Sequence, residues 1–493
     1  MEETCPPEKS CKTDNEELDA KSNFDNSNMI INKMATLYAE KIMSDITLVV
    51  GNSEYPSHKL ILCASSEVFQ IMLHDSKWSE ASEKRIQLGE TPSCAAVFED
   101  FLKYLYTGKI HLDYATVVPI VSLADKYNVK DLLKIGLDYM GRNVSTACKR
   151  NQVVSWFQLT LASGHNHVSN LCSNFIKANF QLVSKNVDFP HMEPDLLASL
   201  IRCNDLVIED EFALFECVSR WLNANRSNMV TSGEDNVDLH FDRHVKLLIP
   251  HVRFPMMTPS QLANLLLDPL SKSHTEFLVD RIRAGVRYHQ GEEVPPRQAT
   301  RPEEARLYTP RLYTKEKFCA SLSIDHFYEL PFYHSRSLLF ASQRHISSAA
   351  HLDSGLDIQD QLDWSVDVYP KGVFFQRCIT VYLPSGKELP ERVLKTVRVS
   401  ITNKRVEEDI FVKIGILIIG DQDDFEHVRC VKSRNYIFTP MDQIVNFDDI
   451  VDYDELIAML PKSNFLSGEA KDSFKILVTI TPLTKHVSSL EVS

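Results

Sequence analysis

His165, His167 and Cys172 are the residues whose type could hold a zinc ion. Two histidines at i and i+2 with one thiol further along do not complete a tetrahedral site, which needs four ligands closing on one point. The segment is read instead as a solvated loop. Asp421-Gln422-Asp423-Asp424 could in principle ligate calcium. Its place between two alternating apolar runs makes it a hairpin tip instead. The chain contains no GxSxG, no phosphate-cradling glycine loop and no HExxH, and only 15 glycines in all. No catalytic residue, metal or cofactor is expected. The 11 cysteines run from Cys5 to Cys430 with no CxxC pair and an odd count. Several, such as Cys63, Cys203 and Cys217, sit in apolar runs, as small buried thiols of a reducing compartment do.

The remaining chemistry is that of surfaces. With 493 residues the chain must divide into several cores. A formal net charge of -14 opposes broad phosphate-backbone binding, so nucleic acid is not expected as a partner. The start, Met1-Glu2-Glu3-Thr4-Cys5-Pro6-Pro7, is acidic and has no apolar core, unlike a signal peptide. The longest apolar stretch, around Phe411 to Ile419, is much shorter than a membrane span. A cytoplasmic or nuclear protein, not secreted and not membrane-bound, is therefore expected.

Residues 1–28 are polar and read as a disordered tail. Ile30, Met34, Leu37, Tyr38 and Ile42 then recur at helical spacing. Ile46-Thr47-Leu48-Val49-Val50 is a buried strand, Tyr55 to Lys59 a hairpin return, and Ser65-Ser66 the cap of a helix bearing Phe69. A short strand at Arg85 to Leu88, a helix from Ala95 ending at Thr107-Gly108, and a helical hairpin to Met140 complete the segment. Residues 143–289 keep a helical period, interrupted by a polar insert, Asn225 to Asp238, that reads as a loop. Residues 290–312 carry Pro295-Pro296, Pro302 and Pro310 among charges and read as a semi-rigid linker. Within it Arg306-Leu307-Tyr308-Thr309 is echoed by Arg311-Leu312-Tyr313-Thr314. From 313 to 493 the period switches to two, in Trp364 to Tyr369, Val397 to Ile401, Val412 to Ile418 and Phe474 to Ile480. That predicts an antiparallel sandwich. The fold class is multidomain α+β.

Several of these segments are spelled in a familiar way. Asp45-x-x-Leu48, His58-Lys59-x-x-Leu62-x-Ala64-x-Ser66-x-x-Phe69, Phe101-x-x-x-Leu105-Tyr106-Thr107-Gly108 and Leu123-Ala124-Asp125-Lys126-Tyr127 resemble the BTB (POZ) domain, over residues 29–142. Asp205-Leu206 through Glu211, Phe215, Val218 and Trp221-Leu222, with Ile249 to Met257, resemble the all-α BACK domain over 143–289. Trp364-x-x-x-Val368-Tyr369-Pro370-Lys371-Gly372, Phe447-Asp448-Asp449-Ile450 and Asp472 to Ile476 are similar to TRAF-like (MATH) domains, an all-β sandwich. The order departs from the commoner one, in which the MATH domain comes first.

The resemblance implies a dimeric adaptor for a cullin-3 ubiquitin ligase, with the transfer chemistry in recruited partners. In that family the amphipathic helix lies at the dimer interface. Met34, Leu37, Tyr38 and Ile42 would then be shared between two chains, with Asp45 and Lys59 as a charged pair supporting the dimer. The family's cullin contact is an apolar residue, any residue, then Glu, in the loop after the helix bearing Phe69. Trp78-Ser79-Glu80 stands there, flanked by Tyr104 and Tyr106. The substrate-binding residues are unknown. A sheet edge or groove around Trp364 to Phe375 is the expected surface for an extended peptide. The alternative is a non-degradative scaffold or a transcriptional co-regulator built on the same dimer.

Overall fold

The computed structural model describes residues 26–290, 305–344, 361–375 and 392–483, apart from 76, 234 and 405. The tail expected over 1–28 lies almost wholly outside these residues, as does the proline-rich part of the linker. The chain divides into two units, Met1–Gly136 and Leu137–Ser493.

The first unit opens with helix α1 (Ser27–Glu40), none of whose residues is buried. The apolar run Ile46–Val50 forms strand β1, which pairs antiparallel with β2 (Ser53–Ser57) and parallel with β3 (Arg85–Leu88). Two short helices, α2 (Lys59–Ser65) and α3 (Glu67–His74), follow the hairpin. The Ser66 hydroxyl accepts the Phe69 N–H at 3.1 Å and donates to the Tyr127 carbonyl, so one side chain caps α3 and ties it across the domain. Helices α4 (Pro92–Ala96), α5 (Phe98–Thr107) and α6 (Val117–Lys126) cover the sheet. Gly108 ends α5 in the left-handed conformation, where a side chain would be strained. Phe69, Phe98, Phe101 and Tyr127 fill the core, with Phe69 stacked on Tyr127 at 4.6 Å. Helix α7 (Lys130–Arg142) follows.

The second unit begins as a series of helices: α8 (Val144–Lys149), α9 (Val153–Ala162), α10 (Asn166–Ala178), α11 (Phe180–Val183) and α12 (Pro194–Arg202). After a two-residue strand, β4 (Val207–Ile208), come α13 (Glu211–Ser232), α14 (Val237–Leu248), α15 (Pro259–Leu265), α16 (Pro269–Ser273) and α17 (Thr275–His289). The loop expected from Asn225 is corrected here. Helix α13 continues to Ser232 and stops only where Gly233 takes a left-handed conformation. The hydroxyls of this last stretch are satisfied within the helix by bonding back one turn: Ser227 to the Asn223 carbonyl, Thr231 to that of Ser227, Ser232 to that of Asn228. His165 and His167 likewise open α10 rather than a loop, and Cys172 is on the buried face of that helix. Among the described residues no three potential ligands converge.

The sandwich consists of two four-stranded antiparallel sheets. One holds β13 (Glu426–Phe438), β12 (Ile410–Asp421), β15 (Phe474–Pro482) and β6 (Cys319–Ile324), in that order. The other holds β14 (Ile444–Phe447), β11 (Arg398–Asn403), β8 (Gln361–Tyr369) and β7 (Arg336–Gln343). Alternate residues face inward, as the period of two requires: Trp364, Val366 and Val368 from one sheet meet Ile414, Ile416 and Ile418 from the other. Trp364 is buried with its indole N–H satisfied by Ser342 at 2.8 Å. The Asp421 to Asp424 turn is a hairpin tip joining β12 to β13, with Asp423 and Asp424 at positive φ.

The end of the expected linker is core, not spacer. Strand β5 (Leu312–Tyr313) pairs in parallel with β4 of the helical part, and Thr309, Arg311, Leu312 and Tyr313 are all buried. The helical part and the sandwich therefore share one unit.

Candidate functional site

The first candidate surface is the turn after α3. Ser79–Ala81 forms one turn of 3-10 helix, and Trp78 at its start is 51 % exposed. An indole this open would gain apolar contact by being covered. Glu80 is held below the ordinary carboxylate range by its own backbone N–H and by the Ser79 hydroxyl, 2.8 Å away. It is therefore charged and oriented. Lys59 fixes the turn from α2, its ammonium donating to the Ala81 carbonyl at 2.9 Å.

Tyr104 and Tyr106 do not flank this surface as contacts. Both are buried in the core of the first unit. The Tyr106 hydroxyl binds the His58 backbone N–H at 3.0 Å and the His58 ring Nδ1 at 2.9 Å. The sequence shows an aromatic at a helix end but not which side of the helix is covered.

The second surface is α1. Ile30 is exposed, Met34, Leu37 and Tyr38 are half-buried, and Ile42 follows exposed. Tyr38 alone is well held, against the Tyr106 ring at 5.2 Å. Its hydroxyl is pushed up to about 12 by burial and by nearby Glu99. Asp45 and Lys59 are not an ion pair within the chain, contrary to the expectation. The Asp45 carboxylate accepts the Lys59 backbone N–H at 2.8 Å and so caps α2 at its open start, while the Lys59 ammonium points to Ala81.

The third surface is on the sandwich. β8 pairs on both sides, with β7 and with β11, so Trp364 and its neighbours offer no free edge. The edges of that sheet are β14 and β7, and on β7 Leu339 is 75 % exposed. At the far end of the expected stretch, strand β9 (Val373–Phe375) carries Phe374 into a row of exposed rings, with Phe374–Tyr333 and Tyr333–Phe332 centroids 6.0 and 6.1 Å apart. Lys371 is buried beneath them and donates to the Tyr328 and Leu330 carbonyls, its ammonium 5.4 Å from the Phe332 ring centroid. Burial holds its pKa below the usual lysine range. Gly372 has φ +86, and a Cβ there would come within 2.9 Å of the Leu394 carbonyl and 3.1 Å of the Tyr333 ring. Only glycine allows the turn that presents this row.

Sequence reasoning missed the joint between the helical part and the sandwich. Glu211 binds the guanidinium of Arg311 and the hydroxyl of Tyr313 with one oxygen, at 2.7 and 2.9 Å, and the Arg253 backbone N–H with the other. Lys413 of β12 donates to the Asn204 and Pro310 carbonyls. Asn179 takes both the N–H and the carbonyl of Val428 on the outer edge of β13, at 2.7 and 2.9 Å, much as a partner strand would. The available signal was Arg311-Leu312-Tyr313-Thr314 itself, a charged residue within an apolar run that a solvated linker does not need.

Comparison with known proteins agrees with this geometry. Residues 34–143 match the BTB/POZ domain model, 153–267 the BACK model (BTB And C-terminal Kelch), and 308–484 the BTBD17 TRAF domain model. BTB/POZ domain-containing protein 17 of Homo sapiens is 28 % identical over 252 residues, 50 % of this chain and 48 % of that protein. Kelch-like protein 41 of Homo sapiens is 26 % identical over 204 residues, covering 41 % and 32 %. Galectin-3-binding protein of Bos taurus is 25 % identical over 275 residues, covering 54 % and 45 %. The chain spans about half the length, or less, of the curated relatives it matches. Among the described residues no helix is long and apolar enough to cross a membrane.

Proposed function

From its place as a BTB/POZ–BACK protein with a C-terminal TRAF domain of the BTB/POZ domain-containing protein 17 kind, we propose that this chain is a homodimeric substrate adaptor of a cullin-3 ubiquitin ligase. The observation that carries the reading is Trp78, a half-exposed indole two residues from a charged, oriented carboxylate on a turn braced by Lys59. The indole fills an apolar groove on the cullin and Glu80 sets register by accepting hydrogen bonds, a compact hot-spot pair. Tyr104 and Tyr106 serve from beneath, as core.

Dimerisation runs through α1, whose apolar residues are covered only in part by their own domain. A second α1 supplies the rest, giving two receptor arms and hence avidity for repeated substrates. The receptor surface is the β7 edge with the row Phe332, Tyr333 and Phe374, where an extended peptide adds a strand and seats apolar side chains on the rings. The chain supplies no catalytic residue; ubiquitin transfer belongs to the recruited ligase.

A pull-down of cullin-3 with full-length chain, beside Trp78→Ala with Glu80→Ala, tests the reading. Capture by wild type and loss in the double variant are expected. Absence of capture leaves the same dimer as a non-degradative scaffold.

A further inference from the structure

Two neighbouring residues, His58 and Lys59, tie α1 and the Trp78–Glu80 turn to the same point of the backbone. His58 stands at the start of α2, and its ring Nε2 lies 2.7 Å from the carbonyl of Ile42, just past the end of α1. A carbonyl only accepts, so Nε2 carries a proton and donates it. Nδ1 of the neutral ring is then an acceptor, and it takes the bond from the Tyr106 hydroxyl at 2.9 Å. The same hydroxyl accepts the His58 backbone N–H at 3.0 Å, and the Tyr106 ring packs on Tyr38 of α1 at 5.2 Å. His58 therefore seats α1 twice, directly at Ile42 and through Tyr106 at Tyr38.

Lys59 is the next residue. Its backbone N–H goes to the Asp45 carboxylate at 2.8 Å and its ammonium to the Ala81 carbonyl at 2.9 Å. The other backbone bonds of the turn are local: Trp78 N–H to the Asp75 carbonyl, Ala81 N–H to that of Trp78, Ser82 N–H to that of Ser79. Among the described residues, Lys59 makes the one hydrogen bond that joins residues 78–82 to the domain beyond residues 75–83. The order of this turn thus depends on where the start of α2 sits, and α2 starts at the residue that holds α1.

We propose that His58 and Lys59 are a positioning pair that couples α1 to the docking turn: when a second chain covers α1, the start of α2 is steadied and Lys59 passes that order to Trp78 and Glu80. The inference rests on the adaptor reading for its use, since a turn already ordered loses less freedom on meeting cullin-3. By linkage the effect is reciprocal, and bound cullin tightens the dimer by the same factor.

Hydrogen exchange at the Ala81 and Ser82 amides of the full-length chain reads the coupling without cullin. Both amides should exchange about fivefold faster or more in the α1 variant Met34→Asp than in wild type. In Lys59→Met, and separately in His58→Leu, exchange should already be fast and should not change further when Met34→Asp is added. Lys59→Arg, which can still donate to the Ala81 carbonyl, should restore the dependence on dimerisation. Affinity for cullin-3 should follow the same pattern, about fivefold weaker in Met34→Asp alone. If Met34→Asp stays dimeric, Leu37→Asp takes its place; if His58→Leu does not melt cooperatively, Lys59→Met carries the test of the link. Equal exchange in dimer and monomer, or a dimer dependence that survives Lys59→Met or a folded His58→Leu, overturns the proposal whether or not cullin binds. Dimer-dependent exchange that both variants abolish, with no binding of cullin by wild type, supports the coupling and overturns the adaptor reading instead.

Discussion

Glu211 and Arg311, a hundred residues apart in sequence, meet at 2.7 Å with neither side chain exposed to solvent. One belongs to the first turn of α13 and the other immediately precedes β5. The pair ties the helices to the segment that enters the sandwich, within the second unit. Around it Arg311 also donates to the Cys203 and His251 carbonyls, and Arg253 to the carbonyl of Thr309 and the side chain of Asn204. Arg253 reaches Glu211 through its backbone N–H alone, and burial, with Arg311 nearby, pushes its guanidinium down to about 9.

Breaking that pair leaves a buried charge without its partner. Arg311→Met should therefore cost about 3–5 kcal/mol in denaturant unfolding of the second unit. The double variant Glu211→Leu with Arg311→Met should recover only part of the loss. Two backbone carbonyls remain without the guanidinium that satisfied them. An effect below about 1 kcal/mol in the single variant, the range of an exposed pair, would contradict the burial assigned to this joint.

Asn179 occupies both outward backbone groups of Val428, so Asn179→Ala should expose them to water. About 1–3 kcal/mol of destabilisation is expected, with hydrogen exchange at the Val428 amide accelerated more than at Ile416 in the middle of β12. Equal acceleration at both amides would point to global loosening and not to an uncapped edge.

Acid should weaken the second unit. Burial lowers the pKa of His427, His289 and His244, so the folded chain favours their neutral form. Below the unfolded value of about 6.5 the unfolded chain binds more protons than the folded one. The contribution of these histidines is therefore full above that pH and is lost as pH falls beneath it. Urea midpoints measured from about pH 7.5 down to about pH 5.5 should decline, and the decline should be shallower in His427→Phe.

Helix α1 should be a dimer element and not a stability element. Met34→Asp places a charge on the half-buried stripe of a helix that has no buried residue of its own. Light scattering should give a dimer for wild type and a monomer for the variant, with the rest of the unit still folded. A variant that remains dimeric moves the interface elsewhere.

Local chemistry made much of this fold legible before its tertiary contacts were known. The Ile46 to Val50 strand, the Ser66 cap, the Gly108 stop and the hairpin tip at Asp421 to Asp424 each follow from a few neighbouring residues. Features decided at long range were not legible. The polar run after Asn225 reads as a loop because its side chains could solvate one; in α13 their hydroxyls instead bond to the preceding turn. Arg311 reads as linker because its carboxylate partner lies a hundred positions earlier. Trp364 to Tyr369 alternates like an edge strand, yet β8 lies between β7 and β11 and its free surface passes to Phe374 beyond the turn. For the candidate cullin surface, the motif at Trp78 and Glu80 was readable, whereas the burial of Tyr104 and Tyr106 was not.

The most direct measurement is the affinity of purified full-length chain for cullin-3, set against Trp78→Ala and Glu80→Ala singly and together. Direct binding is expected, weakened at least about tenfold by Trp78→Ala, since an anchor of this kind carries about 2 kcal/mol or more. Because Trp78 is half exposed and Glu80 rests on its own turn, the melting temperature should stay within about 2 °C of wild type. No detectable binding by wild type, or equal affinity in the double variant, contradicts the adaptor account at its centre.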